Sequence, residues 1–248
     1  LTPAHLLLIR LLSAPGGAVF GVGDDDQTIY GYNGADPAWL MQQVFEFCDF
    51  RFYTPPQQML DTSRGIEWAR WCVGGTTNVV LNCIDRHRDT PAWERPFLVW
   101  EGEDRRAQRS LSYRDFDAEV CRLAGALQAL GVQRGDRVGL YMPNLPETFI
   151  AFFAAMKIGA VVMPLFSGFG ADAIATRLDI AEAVALITVD ASLRRGKVVD
   201  AKAIVDEAVA ATTSLKHVVV LRHGGIEVGW HEERDHWWHD LCDGQPDA

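Results

Sequence analysis

Two patterns of apolar and polar positions alternate along the second half of the chain: short apolar runs and stretches with helical spacing. Short apolar runs, typical of buried strands, occur at residues 137–141, 160–164, 184–189 and 217–221. Apolar residues at helical spacing lie between these runs, at 146–158, 171–183 and 200–211. Strands that alternate with helices are joined by right-handed crossovers and form a parallel sheet. We therefore predict an α/β fold with a mainly parallel sheet flanked by helices.

Two strands and a capped helix precede this alternation. Residues 97–102 and 109–113 are predicted strands, and the charged stretch between them is a predicted turn. Ser112 and Asp115 have the spacing of a helix cap. The apolar face of the helix that follows consists of Phe116, Val120, Leu123, Ala124, Leu127 and Leu130.

The start of the chain has a different pattern. Residues 3–12 predict a short helix with a proline at its beginning, and residues 18–22 predict a strand. Glycine, aspartate and asparagine favour a loop over residues 23–34. A second helix is predicted to begin with Asp36 as its N-cap and Pro37 at its first position. We expect this helix–strand–helix segment to be an appendage to the α/β fold.

The composition excludes some classes of partner. No apolar run approaches the roughly 20 residues that cross a bilayer, so we expect no membrane partner. The net charge of −10 argues against nucleic acid as a partner. Five cysteines without pair spacing suit a reducing, cytoplasmic location. The oligomeric state is not specified by these features.

Five blocks of sequence resemble AMP-forming acetyl-CoA synthetases and related acyl-CoA ligases, in the same order. The blocks are residues 65–87, 98–104, 111–147, 157–183 and 193–208. The likeness begins near Val44 and continues to the end of the chain. It implies the N-terminal subdomain of the adenylate-forming synthetase fold.

The resemblance also implies a two-step reaction. In that family a carboxylate attacks ATP to give an acyl-adenylate and pyrophosphate, and the thiol of coenzyme A then displaces AMP. The chain begins with Leu1 rather than methionine, and it shows neither the family's glycine-rich lysine loop nor its C-terminal catalytic lysine. We therefore expect an N-terminal fragment that is inactive alone, with no catalytic residue and no metal ligand assigned. ATP, Mg²⁺ and the small-molecule substrate belong to the full-length family.

One binding element of the family has a counterpart here. Arg194, Arg195, Gly196 and Lys197 resemble the segment that binds the phosphates of coenzyme A. Arginine and lysine next to a glycine can make charge-assisted hydrogen bonds to phosphate. The family often has glycine where this chain has Arg195, so any affinity for coenzyme A is expected to be weak. The alternative is a solvated basic loop.

The first 40 residues resemble another family. The stretch "VGDDDQTIYGYNGA" is similar to motif III of UvrD/Rep-type DNA helicases, and residues 1–12 are similar to the preceding helix. The resemblance implies that Gln27 contacts nucleotide and that Tyr30 contacts single-stranded DNA. The neighbouring aspartates, residues 24–26, favour a solvated turn over a metal site.

These resemblances predict three segments: a helicase-like fragment (1–40), a synthetase-like cap segment (41–96) and a truncated α/β subdomain (97–248). The change from one family to the other falls between residues 36 and 44, inside one predicted helix. We therefore favour a chimeric reading frame over a bifunctional enzyme. The alternative functions are a remnant of a UvrD-like ATP-dependent helicase and a non-catalytic module that binds coenzyme A.

The histidines near the end of the chain are a candidate metal site. His231, His236 and His239 could place two imidazoles on one helical face, as metal sites require. No cysteine pair or ordered set of carboxylates accompanies them. A surface helix is the favoured interpretation, with Trp237 or Trp238 packed against the core.

Overall fold

The computed structural model describes residues 37–102, 107–194, 196–210 and 212–247. It divides into two compact units, Leu1–Asn82 and Cys83–Ala248. The predicted helix at 3–12 and strand at 18–22 lie outside the described residues. The three predicted segments stay a prediction.

The described part of the first unit contains two α-helices, a short 3₁₀ helix (Ile66–Trp68) and one hairpin. Helix α1 (Pro37–Phe47) begins at the predicted proline, and α2 (Val79–Cys83) ends at the boundary of the unit. Strands β1 (Gln58–Asp61) and β2 (Arg70–Val73) pair in antiparallel register. No residue of α1 is buried. The packing here is mainly aromatic, because the rings of Phe45, Phe50 and Phe52 contact one another.

A five-stranded parallel sheet forms the centre of the second unit. Its strands are β5 (Arg137–Tyr141), β6 (Val161–Pro164), β7 (Ala185–Val189), β10 (His217–Leu221) and β11 (Asp235–Trp237). Their order in the sheet is β11-β10-β7-β5-β6. Every residue of β7 is buried, as expected for a central strand covered on both faces. The predicted α/β fold with a mainly parallel sheet is confirmed.

Five helices cover the sheet within the described part of the second unit, and all but the short last one lie where the periodicity predicts a helix. They are α3 (Tyr113–Ala129), α4 (Pro146–Lys157), α5 (Ala171–Ala181), α6 (Ala201–Val209) and the short α7 (Trp238–Cys242). Helix α3 begins with the predicted capping box between Ser112 and Asp115. Of its six predicted apolar positions, Phe116, Val120, Leu123, Ala124 and Leu127 are buried, which confirms the face assignment.

Two antiparallel hairpins stand apart from the parallel sheet. The first joins β3 (Pro96–Glu101) and β4 (Gln108–Ser112), where the sequence predicts two strands. The second joins β8 (Ala191–Arg194) and β9 (Lys197–Asp200), where no strand is predicted from the sequence. Among the described residues, no helix is both long enough and apolar enough to cross a membrane.

Candidate functional site

The basic segment forms the tip of the β8–β9 hairpin. Arg194 ends β8, Lys197 begins β9, and the two are paired in the strand register. Gly196 lies in the turn between them with a φ of +73°, a left-handed conformation that favours glycine. Lys197 is exposed. The backbones of Arg194 and Lys197 therefore lie next to each other at the end of the hairpin.

The hairpin leaves the sheet at its carboxyl edge. Strand β7 ends at Val189, and β8 begins two residues later. In open parallel sheets, ligands bind in the crevice outside the carboxyl ends of the strands. The basic tip is thus carried by an arm that starts on the edge where such folds bind their ligands.

The carboxylate of Asp190 organises the base of the arm. Asp190 is 1% exposed and stands between β7 and β8. Its Oδ1 accepts hydrogen bonds from the backbone N–H groups of Ala191 (2.7 Å), His223 (2.8 Å) and Gly224 (2.7 Å). Its Oδ2 accepts one from Gly225 (2.7 Å). The carboxylate therefore fills a cradle of four N–H groups that could otherwise hold an external anion.

This environment decides the charge of Asp190. Burial by itself raises the pKa of a carboxyl group, because it disfavours the charged form. The N–H groups of Gly224, His223, Ala191 and Gly225 outweigh that effect and hold the pKa of Asp190 below its usual value. Asp190 is therefore ionised at neutral pH.

The other end of the arm is fixed by a helix cap. Asp200 ends β9, and its Oδ1 accepts a hydrogen bond from the backbone N–H of Ala203 at 2.8 Å. Asp200 is thereby the N-cap of α6. It also pairs with Ala191 in the hairpin register. Both strands of the arm are consequently anchored at their base.

An aromatic groove of about 640 Å³ lies beside Asp190. The rings of Trp230 and Trp237 stack there with centroids 4.4 Å apart. The guanidinium of Arg222 lies 4.3 Å from the Trp237 centroid. Since Trp237 is already contacted by both groups, these residues mainly pack on one another.

Comparison with known families assigns most of the chain. The family model described as "AMP-binding enzyme" matches residues 84–247, which is more than half of the chain. The chain belongs to the AMP-binding enzyme family. A second model, the acetyl-coenzyme A synthetase N-terminus, matches residues 27–83. A third, the UvrD/REP helicase N-terminal domain, matches residues 1–47 and overlaps the second.

Individual AMP-binding relatives agree with the family match. The chain is 45% identical over 190 residues to an acetyl-coenzyme A synthetase of Streptomyces coelicolor, covering 77% of this chain and 29% of that protein. It is 44% identical over 194 residues to one of Deinococcus radiodurans, covering 76% and 30%. The solved acetoacetyl-CoA synthetase of Streptomyces lividans superposes with a TM-score of 0.73 at 28% identity, covering 82% and 30%. The chain thus spans about 30% of the length of these relatives, in their N-terminal part.

The structure describes three of the six predicted site residues. Arg194, Gly196 and Lys197 meet at the hairpin tip, whereas Arg195 lies outside the described residues. Gln27 and Tyr30 also lie outside them. The roles assigned to these six positions stay predictions.

The histidine-rich stretch departs from the predicted single surface helix. His236 belongs to β11, and only the residues from Trp238 onward are helical. Trp238 is 3% exposed, which confirms the packing predicted for one of the two tryptophans. His236 Nε2 lies 3.1 Å from Nδ1 of His217 on the adjacent strand. Within the described ranges, no group of three or more His, Cys, Asp or Glu side chains is arranged to hold a metal ion.

Proposed function

We propose that this chain forms the N-terminal part of an AMP-forming acyl-CoA synthetase and that the β8–β9 hairpin tip binds the phosphates of coenzyme A. The observation that carries the proposal is the pairing of Arg194 with Lys197 across a turn at Gly196. Two cations held at neighbouring positions on an arm suit a ligand with several phosphate groups.

The charge distribution supports the same ligand. The chain has a net charge of −10, yet residues 194–197 contain three cations and no carboxylate. Phosphates are repelled by most of such a surface and attracted to this tip. A hydrogen bond to a charged group contributes about 1.5–3 kcal/mol. Loss of one such contact should therefore weaken binding by roughly tenfold or more.

The activity of the complete protein is part of the proposal. A carboxylate, ATP and coenzyme A would give acyl-CoA, AMP and pyrophosphate, with Mg²⁺ as the companion of ATP. Relatives named for acetyl-CoA and acetoacetyl-CoA support a short carboxylate as the acyl substrate. All five cysteines are free thiols, which suits the proposed cytoplasmic location.

A separate origin is proposed for the first residues. The helicase and synthetase models overlap between residues 27 and 47, around the join predicted at residues 36–44. We propose that a rearranged reading frame joins the two sequences there. Sequencing the source DNA across these codons in independent isolates tests this: we expect the join to be absent from some isolates, and the same uninterrupted reading frame in all of them would contradict the proposal.

Calorimetric titration tests the proposed ligand. The 248-residue protein is titrated with coenzyme A and, separately, with pantetheine, which has the same thiol arm but neither the phosphates nor the adenosine. We expect binding of coenzyme A alone, and weaker binding as salt rises from about 50 to about 200 mM. Arg194→Ala and Lys197→Ala should each lower the affinity by roughly tenfold.

Arg134→Ala is the matched control, because Arg134 is exposed, as Lys197 is, but precedes β5 at the amino edge of the sheet. It removes the same positive charge from the opposite edge and should leave the affinity unchanged. Equal losses for all three variants would indicate general charge attraction. Unchanged affinity in Arg194→Ala and Lys197→Ala would remove the hairpin from the binding site.

A further inference from the structure

The β8–β9 arm is buried at its base, where Ala191 is 0% exposed, and is exposed farther out. Its outward side chains Leu193 and Val198 are 53% and 58% exposed. Its strands are four residues each, and a two-stranded hairpin is at best marginally stable by itself. The direction of the arm must therefore be set at its base.

Asp190 joins three other elements at that base. Its backbone N–H donates to the carbonyl oxygen of Leu221 at the end of β10, at 3.0 Å. Its carbonyl oxygen accepts from the backbone N–H of Lys202 in the first turn of α6, at 3.1 Å. With the four bonds to its carboxylate, Asp190 makes six hydrogen bonds that link β7 and β8 to β10, α6 and the turn at residues 223–225.

The packing at this junction leaves no room for adjustment. A Cβ atom added to Gly224 would lie 2.5 Å from the Cβ of Ala191, the first residue of the arm. The turn at 223–225 thus contacts the arm directly, and the carboxylate of Asp190 holds turn and arm together. Movement of the turn would displace the first residue of β8.

We infer that Asp190 is a positioning residue for coenzyme A: it anchors the hairpin whose tip carries Arg194 and Lys197, without touching the ligand itself. The inference rests on the proposed function of the tip. Asp190 acts through buried backbone contacts, while the binding groups lie at the other end of the arm.

The sign of the effect separates this role from simple electrostatics. Asp190→Asn removes a negative charge, so Coulomb attraction alone would leave the affinity for anionic coenzyme A unchanged or raise it. The positioning role predicts the opposite. The amide of asparagine would turn an NH₂ group toward the N–H of Gly225 or toward the three N–H groups now on Oδ1. We expect the affinity to fall by about tenfold, as when other supporting partners of a binding group are removed.

The experiment combines calorimetric titration with coenzyme A and amide hydrogen exchange of the 248-residue protein. Asp136→Asn is the matched control, since the Asp136 carboxylate accepts a backbone hydrogen bond from Gln133 (2.9 Å) before β5, at the amino edge of the sheet. We expect Asp190→Asn to weaken binding and to speed exchange in residues 191–200. Asp136→Asn should do neither.

A second variant changes the turn at residues 223–225 instead of Asp190. Gly224→Ala keeps the charge of Asp190 but forces the turn away from Ala191. It should weaken coenzyme A binding and speed exchange in the arm in the same way, and it decides the question if Asp190→Asn fails to fold.

The outcomes distinguish the two proposals. Coenzyme A binding by the unchanged protein with equal affinity in Asp190→Asn and Gly224→Ala would overturn the positioning role and leave the proposed function intact. Absence of coenzyme A binding by the unchanged protein would overturn the proposed function and the coenzyme role of Asp190 with it. Unchanged exchange in residues 191–200 would show that Asp190 does not anchor the arm.

Discussion

Lys202 offers the sharpest test of how the second unit is held together. Its side chain is fully buried, and its Nζ lies 2.7 and 2.8 Å from the carboxylate oxygens of Asp206. It also lies 2.8 Å from Asp235 Oδ2 and 3.0 Å from the carbonyl oxygen of Gly229. The ammonium therefore connects α6 to β11 and to the loop before that strand.

Lys202→Met removes the charge and keeps a side chain of similar length. Breaking a buried ion pair by removing one partner costs about 3–5 kcal/mol, because the other charge stays buried. Asp235 has a fully buried side chain, but Arg234 Nε still donates to it at 2.7 Å. We therefore expect a loss near the lower limit, about 3 kcal/mol of unfolding free energy. For a unit of this size that corresponds to a fall in Tm of roughly 6–12 °C.

Urea unfolding followed by tryptophan fluorescence measures this loss, since Trp237 and Trp238 directly follow Asp235 and His236 in the chain. Lys216→Met is the control, because Lys216 is exposed and the same substitution there should change stability by less than about 0.5 kcal/mol. A loss below about 1 kcal/mol for Lys202→Met would refute the reasoning, since it would mean that the cluster is well solvated.

Two further predictions concern pH and catalysis. Burial lowers the pKa of both His217 and His236 in the folded protein below its value in the unfolded chain. Their contribution to stability is therefore present above about pH 6.5, and it is lost as the pH falls through the pKa values of the folded protein. Urea unfolding at several pH values should show this loss, and His236→Gln should reduce it; equal pH dependence in the variant would contradict the assignment. The 248-residue polypeptide alone should not catalyse acetate-dependent ATP–pyrophosphate exchange. Adenylate formation needs preorganised hydrogen-bond donors for the ATP phosphates, and the resemblance assigns these donors to other parts of the family's chain. Exchange above that of a mock purification, abolished by a point substitution in this chain, would contradict it.

The parallel sheet could be predicted because its signals are local. Each of β5, β7 and β10 is a run of five residues that are mostly apolar, and a helical pattern of the right length lies between them. The cap at Ser112 and Asp115 depends on a spacing of three residues and was equally accessible.

The missed elements depend on distant partners. Strand β11 has three residues, and its pairing of His236 with Val219 decides its conformation, whereas its sequence neighbours favour a helix. The strands of the basic arm have four residues each, and β9 is mostly exposed, so they lack a strong alternating pattern. The role of Asp190 depends on N–H groups 33 to 35 residues further along the chain, which no local pattern connects to it. An aspartate directly after a buried strand was the one available signal.

The central claim is that coenzyme A binds at the tip of the β8–β9 arm. A ¹H–¹⁵N NMR titration of the labelled 248-residue protein with coenzyme A tests it most directly, because it reports where on the chain the ligand acts. We predict that the largest shift changes fall on residues 191–200, centred on Gly196 and Lys197, and that pantetheine does not reproduce them. Shift changes confined to other residues would contradict the account. So would the absence of any shift change at coenzyme A concentrations in the millimolar range.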